Sequence, residues 1–458
     1  MSQYRDTVSG INYYICVTLF KVTIMNRRDF LSSVAVGAAA ASLAPLTTFG
    51  QNGFGRNIKI SDDLAERYRT LDGILTQPIL KKELFPDPVI IESVELLFFN
   101  GNFLCRVRSK DGAEGISAAH GSMNVLHQYF LENVKPFLIG QDARELDLIL
   151  QRIYMFHFNY RHNGITMGIP LATAEFAILD MLGHVAGKPV AELISKIYNP
   201  EVGLYVATEF RELPLEEHFE KIKETASQYN LHALKIKVGF TVASTRDIHY
   251  GGIPGKSEKL VPLVRQYFGD RWSLYADSNG YYGVTDAIKM GKLLEEYKYR
   301  YFEEPVMFDH FEEIKSVHDN LKIPVASGEQ DYGFYNMRWL LANDGISIVQ
   351  PDHYYFGGFI RSLRLALMAD AMGKTCVPHM SPAGLGFVYN TILVSAMPNA
   401  GEHHEFKGLK TSIPFECPSS PLKVVDGKIQ APRGVGMGVV IDPAFIAKHK
   451  EVKKGVPV

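Results

Sequence analysis

The chain has 458 residues, 46% of them hydrophobic and 21% charged. That composition excludes the disordered, fibrous and disulfide-dense classes, and the length suits one large α/β barrel with an appendage. Its 48 Lys+Arg and 50 Asp+Glu leave a net charge of −2, so no basic excess points to nucleic acid and none is expected as a partner.

Residues 1–24 are a doubtful extension ahead of a better start at Met25. In segment 25–50, Arg27-Arg28 precedes an Ala-rich run from Val34 to Ala44, too short to span a bilayer, which takes about 20 apolar residues. It resembles a twin-arginine (Tat) signal peptide. The resemblance implies the Tat export machinery as a partner and a periplasmic or otherwise exported location, with an uncleaved membrane anchor as the alternative. If Cys16 leaves with this segment, at least one of Cys105, Cys376 and Cys417 is unpaired or bridged between chains. Residues 51–88 are polar and punctuated, and read as a linker with one short helix.

Residues 89–200 read as an α+β module. Strands are expected over 89–100 and 103–108 with turns at Gly101-Asn102 and Asp111-Gly112, then helices over 124–136, 143–158 and 169–187. From 201 to 410 short β runs alternate with amphipathic segments. The runs lie at 204–210, 233–239, 274–280, 301–306, 323–329, 346–352, 374–379 and 403–406. Eight such runs predict a (β/α)8 TIM barrel. The tail, 411–458, carries a hairpin signal at Asp426-Gly427 and is expected to fold back onto the first module.

Barrel strands are buried on both faces, so polar residues on them need a reason. In ALKIKVG, Leu234, Ile236 and Val238 facing the helices would turn Lys235 and Lys237 toward the barrel axis. Two adjacent buried ammoniums persist only beside anions or with lowered pKa values. Asp277, Glu303 and Glu329 supply anions at regular spacing: each follows the last by 26 residues, about one βα unit, at the end of a strand. An isolated Glu is ordinarily a surface ion-pair residue, but recurrence in register places these three at the catalytic end of a barrel. Three oxygen ligands suit Mg2+, and no HxH pair supports a zinc site. Asp352 and His379 end the next two strands, where an Asp can orient an imidazole. Glu405 ends the eighth.

These residues resemble the enolase superfamily, its mandelate racemase subgroup in particular. The resemblance rests on Lys235-Ile236-Lys237, Asp277-Ser278-Asn279, Glu303-Glu304-Pro305, Gly328-Glu329, Pro351-Asp352, Pro378-His379 and Glu405. It spans residues 89–443 and implies a capping domain completed by the C-terminal tail. It implies that Asp277, Glu303 and Glu329 hold one Mg2+ per subunit. Lys237 is then the base on one face of a small-molecule carboxylate, with Lys235 depressing its pKa and meeting the developing oxyanion. His379 with Asp352 is the acid/base opposite, Glu405 binds the substrate carboxylate, and Asn279 lies near the metal and the second base. The reaction implied is removal of the proton next to a carboxylate. Dehydration of a sugar acid to a 2-keto-3-deoxy acid is favoured over racemisation, epimerisation or cycloisomerisation. A homo-oligomer is expected. The competing class is an exported binding protein that has lost a base or a ligand.

Five carboxylates against Lys235 and Lys237 leave three negative charges, which a dication reduces to one; an imidazolium at His379, or a Glu405 protonated when substrate is bound, would cancel the last. The segment 239–259 is longer than this family carries, with Arg246 and His249 as lesser candidates for substrate hydroxyls. Phe98, Phe99, Asn100 and Asn102 in the capping module, and Glu209 and Arg211 after the first barrel strand, are further lesser candidates.

Overall fold

The computed structural model describes residues 61–157, 159–240 and 253–456. The expected leader, the upstream extension, the start of the linker, and Arg246 and His249 lie outside the described residues.

An antiparallel sheet opens the capping module: β1 (Ile91–Phe99), β2 (Asn102–Ser109) and β3 (Glu114–Ala118). The β1–β2 turn uses Asn100 and Gly101, both at positive φ, as a two-residue hairpin demands. β3 was not read from the sequence, because EGISA is short and half its side chains are small. Helices Met123–Tyr129, Leu146–Met155 and Ile165–Ala186 follow. The last is long and apolar enough to cross a membrane, yet 89% of its apolar window is buried inside the protein. It is a core helix packed on β2 and β3.

Eight parallel strands make the barrel. They are β4 (Glu201–Ala207), β5 (Ala233–Lys237), β6 (Ser273–Asp277), β7 (Phe302–Glu303), β8 (Val325–Ser327), β9 (Ile348–Val349), β10 (Thr375–Cys376) and β11 (His404–Phe406). The ladder runs β10-β9-β8-β7-β6-β5-β4-β11. A parallel bridge from Cys376 to Ala400 brings its two ends together. Strands this short fit the sequence, whose β runs pass within a few residues from apolar to polar or glycine. Inside the barrel, Tyr205, Tyr275 and Tyr301 pack with Ala233, Ala326, Ile348 and Val377 as a plug beneath the polar mouth.

Two expectations need correction. The described part of the linker holds a 15-residue helix, Asp62–Thr76, packed on the barrel helices Phe334–Ala342 and Phe359–Ala371. Its Asp72 takes a two-pronged bond from Arg338, at 2.6 Å on each oxygen. The tail hairpin does not return to the capping sheet: Lys428–Gln430 pairs antiparallel with β4. The return is made further on, where Lys450–Glu451 pairs with β1 and where Asp180 of the core helix accepts the Met437 N–H at 2.8 Å and the Ile116 N–H at 2.9 Å. Gly436 allows that approach: its φ is +67°, and a Cβ there would meet Asp180 Oδ1 at 2.3 Å. Cys105, Cys376 and Cys417 are all free thiols.

Candidate active site

Strand alternation does what the sequence predicts on β5. Leu234 and Ile236 are fully buried in the main core, while Lys235 and Lys237 point to the barrel axis. Each ammonium meets an acid from a following strand. Lys235 Nζ lies 2.7 Å from Glu303 Oε1, and Lys237 Nζ is paired with Asp277 Oδ2. Burial alone would lower both lysines, but Glu303 and Glu405 lift Lys235 well above the usual value, and Asp277 raises Lys237. The sequence expectation that Lys235 depresses Lys237 holds as a contribution, since Lys235 does push it down. It is outweighed by the Asp277 carboxylate.

Asp277, Glu303 and Glu329 offer carboxylate oxygens that all lie within 4.8 Å of one another. Burial raises Asp277, but Lys237, Lys235 and Arg211 outweigh it and hold the carboxyl low. Glu303, buried beside two like charges, is pushed up to about 7 despite Lys235. Such a trio, with all-oxygen donors and more negative charge than its two lysines cancel, fits a hard dication. Gln350 donates to Glu303 Oε2 at 2.8 Å.

Asn279, at φ +45° just after β6, ties the ends of the site together. Its Oδ1 accepts from Lys237 at 3.1 Å and from Arg211 at 2.6 Å. Its Nδ2 donates to Glu329 at 3.3 Å and to Glu304 at 3.4 Å. Arg211 is buried, and its loop is held by Lys256, whose ammonium donates to the Arg211 and Leu213 carbonyls.

On the other side, His379 Nδ1–H donates to Asp352 Oδ2 at 2.9 Å. Asp352 also accepts the Tyr354 and Tyr355 backbone N–H groups, at 2.7 and 3.0 Å. The ring is thereby fixed with Nε2 toward the cavity, 3.6 Å from Glu329 and 3.9 Å from Glu405. Burial opposes the charged ring, but Glu329, Asp352 and Glu405 raise His379 to about 9. The carboxylate trio therefore has Lys237 against its Asp277 member and His379 near its Glu329 member.

Glu405 is shifted toward its charged form by its neighbours. Burial favours its neutral form, but Lys235, Lys407, His379 and Lys237 outweigh it and lower the carboxyl to about 2. Its Oε1 pairs with Lys407 Nζ at 3.2 Å. Its Oε2 is buried without a hydrogen bond, 3.7 Å from Lys235 Nζ.

Of the lesser candidates, Arg211 joins the site and Glu209 stays exposed. Phe98 packs at a tilt against Phe103, and Phe99 packs edge-on against Phe445 and tilted against His449, so both are packing residues. Asn102 accepts from Ser412 at 2.7 Å, fastening the capping hairpin to the segment after β11. Sequence reasoning missed Lys407 and Gln350. Each lies two residues from a named acid, on the same face of an extended segment, and alternation would have found both. It also missed His120, which sits after β3 with its ring against Tyr354 and Tyr355, the latter 6.3 Å from His379.

Comparison with known proteins now bears on this geometry. Residues 101–195 match the mandelate racemase / muconate lactonizing enzyme N-terminal domain, and residues 218–445 match the enolase C-terminal domain-like family. The chain belongs to the enolase superfamily. D-galactarolactone cycloisomerase of Agrobacterium fabrum is 27% identical, over 67% of this chain and 80% of that protein. Arabinonate dehydratase of Saccharolobus solfataricus is 22% identical, over 75% and 89%. Among solved structures, a magnesium complex of a mandelate racemase/muconate lactonizing protein from Paracoccus denitrificans superposes with a TM-score of 0.69. It is 25% identical and covers 80% of this chain and all of that one. Enolase-superfamily members bind Mg2+ and are enzymes, and this chain is one of those enzymes.

Proposed function

We propose that the chain is a Mg2+-dependent sugar-acid dehydratase, converting an aldonate or aldarate to its 2-keto-3-deoxy acid. The observation that carries this is one oxygen-ligand trio flanked at one end by the Lys237 amine and at the other by an Asp-oriented imidazole. Asp277, Glu303 and Glu329 would hold a single Mg2+ per subunit, which supplies Lewis-acid stabilisation of the charge that grows as the α-proton leaves. Lys237, as the neutral amine, takes that proton. Lys235 faces the developing oxyanion. His379, as imidazolium, gives its Nε2 proton to the departing β-hydroxyl, so water leaves and the resulting enol tautomerises to the 2-keto acid. Asp352 holds the ring in the required tautomer. The names of the arabinonate and galactonate dehydratase relatives support this choice of outcome. The cycloisomerase relative supports a second reading, in which the same first proton transfer leads to isomerisation.

The test is a panel of D-galactonate, D-gluconate, D-arabinonate and galactarate, scored for 2-keto acid and for α-proton exchange in D2O. Wild type should turn over or exchange at least one of them. Lys237→Ala should bind Mg2+ yet exchange none. Wild type inert toward the whole panel, or Lys237→Ala still exchanging, would overturn the proposal. We further propose export through the Tat pathway, on the Arg27-Arg28 motif, and a homo-oligomer, on family resemblance. Retention of a full-length reporter fusion in the cytoplasm would refute the first, and a monomer mass by light scattering the second.

A further inference from the structure

The family-implied set of residues leaves out a cation that the structure puts in the mouth of the barrel. Lys407 follows β11 directly. It lies two residues past Glu405, so both side chains project from the same face of the chain. The 3.2 Å contact from Lys407 Nζ to Glu405 Oε1 confirms that the ammonium reaches inward over the mouth. Glu405 is its sole ion-pair partner among the described residues, and about a third of the Lys407 side chain remains exposed. An ammonium has three donors, so donors remain for a ligand at that rim. An independent observation lies beside it. Glu405 Oε2 is buried with no hydrogen bond and looks into a gap bounded by Lys235 Nζ at 3.7 Å and His379 Nε2 at 3.9 Å. Both of these groups also touch the carboxylate trio, Lys235 at Glu303 and His379 at Glu329, so the space beside Glu405 Oε2 borders the trio.

We propose that Lys407 is a substrate-binding residue, whose ammonium contacts the substrate carboxylate and strengthens its hold as negative charge builds there. This rests on reading the site as one for a carboxylate substrate. It changes how the carboxylate is received. The sequence reading balanced the site's charge with an imidazolium at His379 or a protonated Glu405. With Lys407 in place, Glu405 stays ionised and serves as the counter-ion that aims Lys407 and Lys235. With Lys237 as the neutral amine and His379 as the imidazolium, the five acids Asp277, Glu303, Glu329, Asp352 and Glu405 exceed the four cations Lys235, Arg211, Lys407 and His379 by one. A dication then leaves one positive charge, which a single carboxylate neutralises.

The test uses Mg2+-loaded protein and two probes in calorimetry: lactate, a 2-hydroxy monoanion, and tartronate, a dianion whose second carboxylate mimics the charge of the deprotonated substrate. Lys407→Met should weaken tartronate by about 10- to 100-fold, the range for a hydrogen bond to a charged group, and lactate by less. Lys407→Arg should recover most of the loss, and Mg2+ affinity should stay within twofold in both. Circular dichroism checks the fold of each variant. If wild type binds both probes and Lys407→Met binds tartronate within twofold of it, Lys407 is a rim partner of Glu405 alone and the assignment falls while the carboxylate site stands. Loss of Mg2+ affinity with no selective loss of tartronate also overturns it. Wild type binding neither probe removes the carboxylate reading itself, and this inference with it.

Discussion

The two halves of the barrel mouth share a backbone and carry opposite charge. The neighbouring strands β11, β4 and β5 deliver Lys407, Arg211, Lys235 and Lys237. The next three, β6, β7 and β8, deliver Asp277, Glu303 and Glu329. At the seam the halves neutralise each other, through Lys237 with Asp277 and Lys235 with Glu303. Away from the seam each half keeps charge that protein groups do not cancel. The acid half suits a dication, and the basic half suits the anionic end of a ligand. A buried charge is stable only when something answers it, so the unanswered remainder on each side shows what the site is built to receive.

Breaking the seam should have the largest effect. Glu303→Ala removes a ligand oxygen and leaves Lys235 buried without its partner. Loss of measurable Mg2+ binding is expected, with a destabilisation of about 3–5 kcal/mol, read by calorimetry and by denaturant unfolding. His379→Asn leaves the seam intact. It should lower dehydration by about 10²–10⁴-fold while α-proton exchange from the Lys237 side continues, so an equal loss of both would remove the division of labour drawn here. Glu405→Gln sharpens the comparison further. Because the four surrounding cations hold Glu405 ionised, the amide should cost about 10- to 100-fold in kcat/KM. Full activity in that variant would restore the protonated reading.

The smallest effect tests a buried acid outside the mouth. Glu175, on the core helix, accepts the Phe359 and Ile360 backbone N–H groups at the start of a barrel helix. Burial pushes its carboxyl up to about 8, against those two donors. The folded state therefore holds a proton that the unfolded chain loses near the ordinary carboxylate value. Its contribution to stability is complete at low pH and fades as the pH rises from about 4.5 to 8. Melting temperatures across that window should fall more steeply in wild type than in Glu175→Gln, and parallel curves would show the group to be ionised throughout.

The barrel and its site were legible because their signals repeat. Eight β runs and carboxylates 26 residues apart are a periodicity that one sequence can show, and Lys235 and Lys237 stand out on an otherwise apolar strand. What escaped the sequence lacked a period. Lys407 and Gln350 belong to alternations that continue past the formal ends of their strands. Arg211 reached only the lesser candidates because it depends on a loop held by Lys256, a contact between segments 45 residues apart. The shift of Glu405 toward its charged form is a sum over four cations placed by three strands, which no local pattern encodes. The linker helix was undervalued for a similar reason: what holds it is Arg338 and Asn343, far along the chain.

The pairing of Lys450–Glu451 with Ile91–Phe99 has a consequence for how the molecule assembles. The two partners are separated by the entire barrel, so this closure is among the most non-local contacts in the chain and must come late. Until it does, the Leu96–Phe98 end of β1 presents unanswered backbone donors and acceptors beside apolar side chains. Refolding at high concentration exposes that end to its counterparts on other copies, and self-association is expected to begin there.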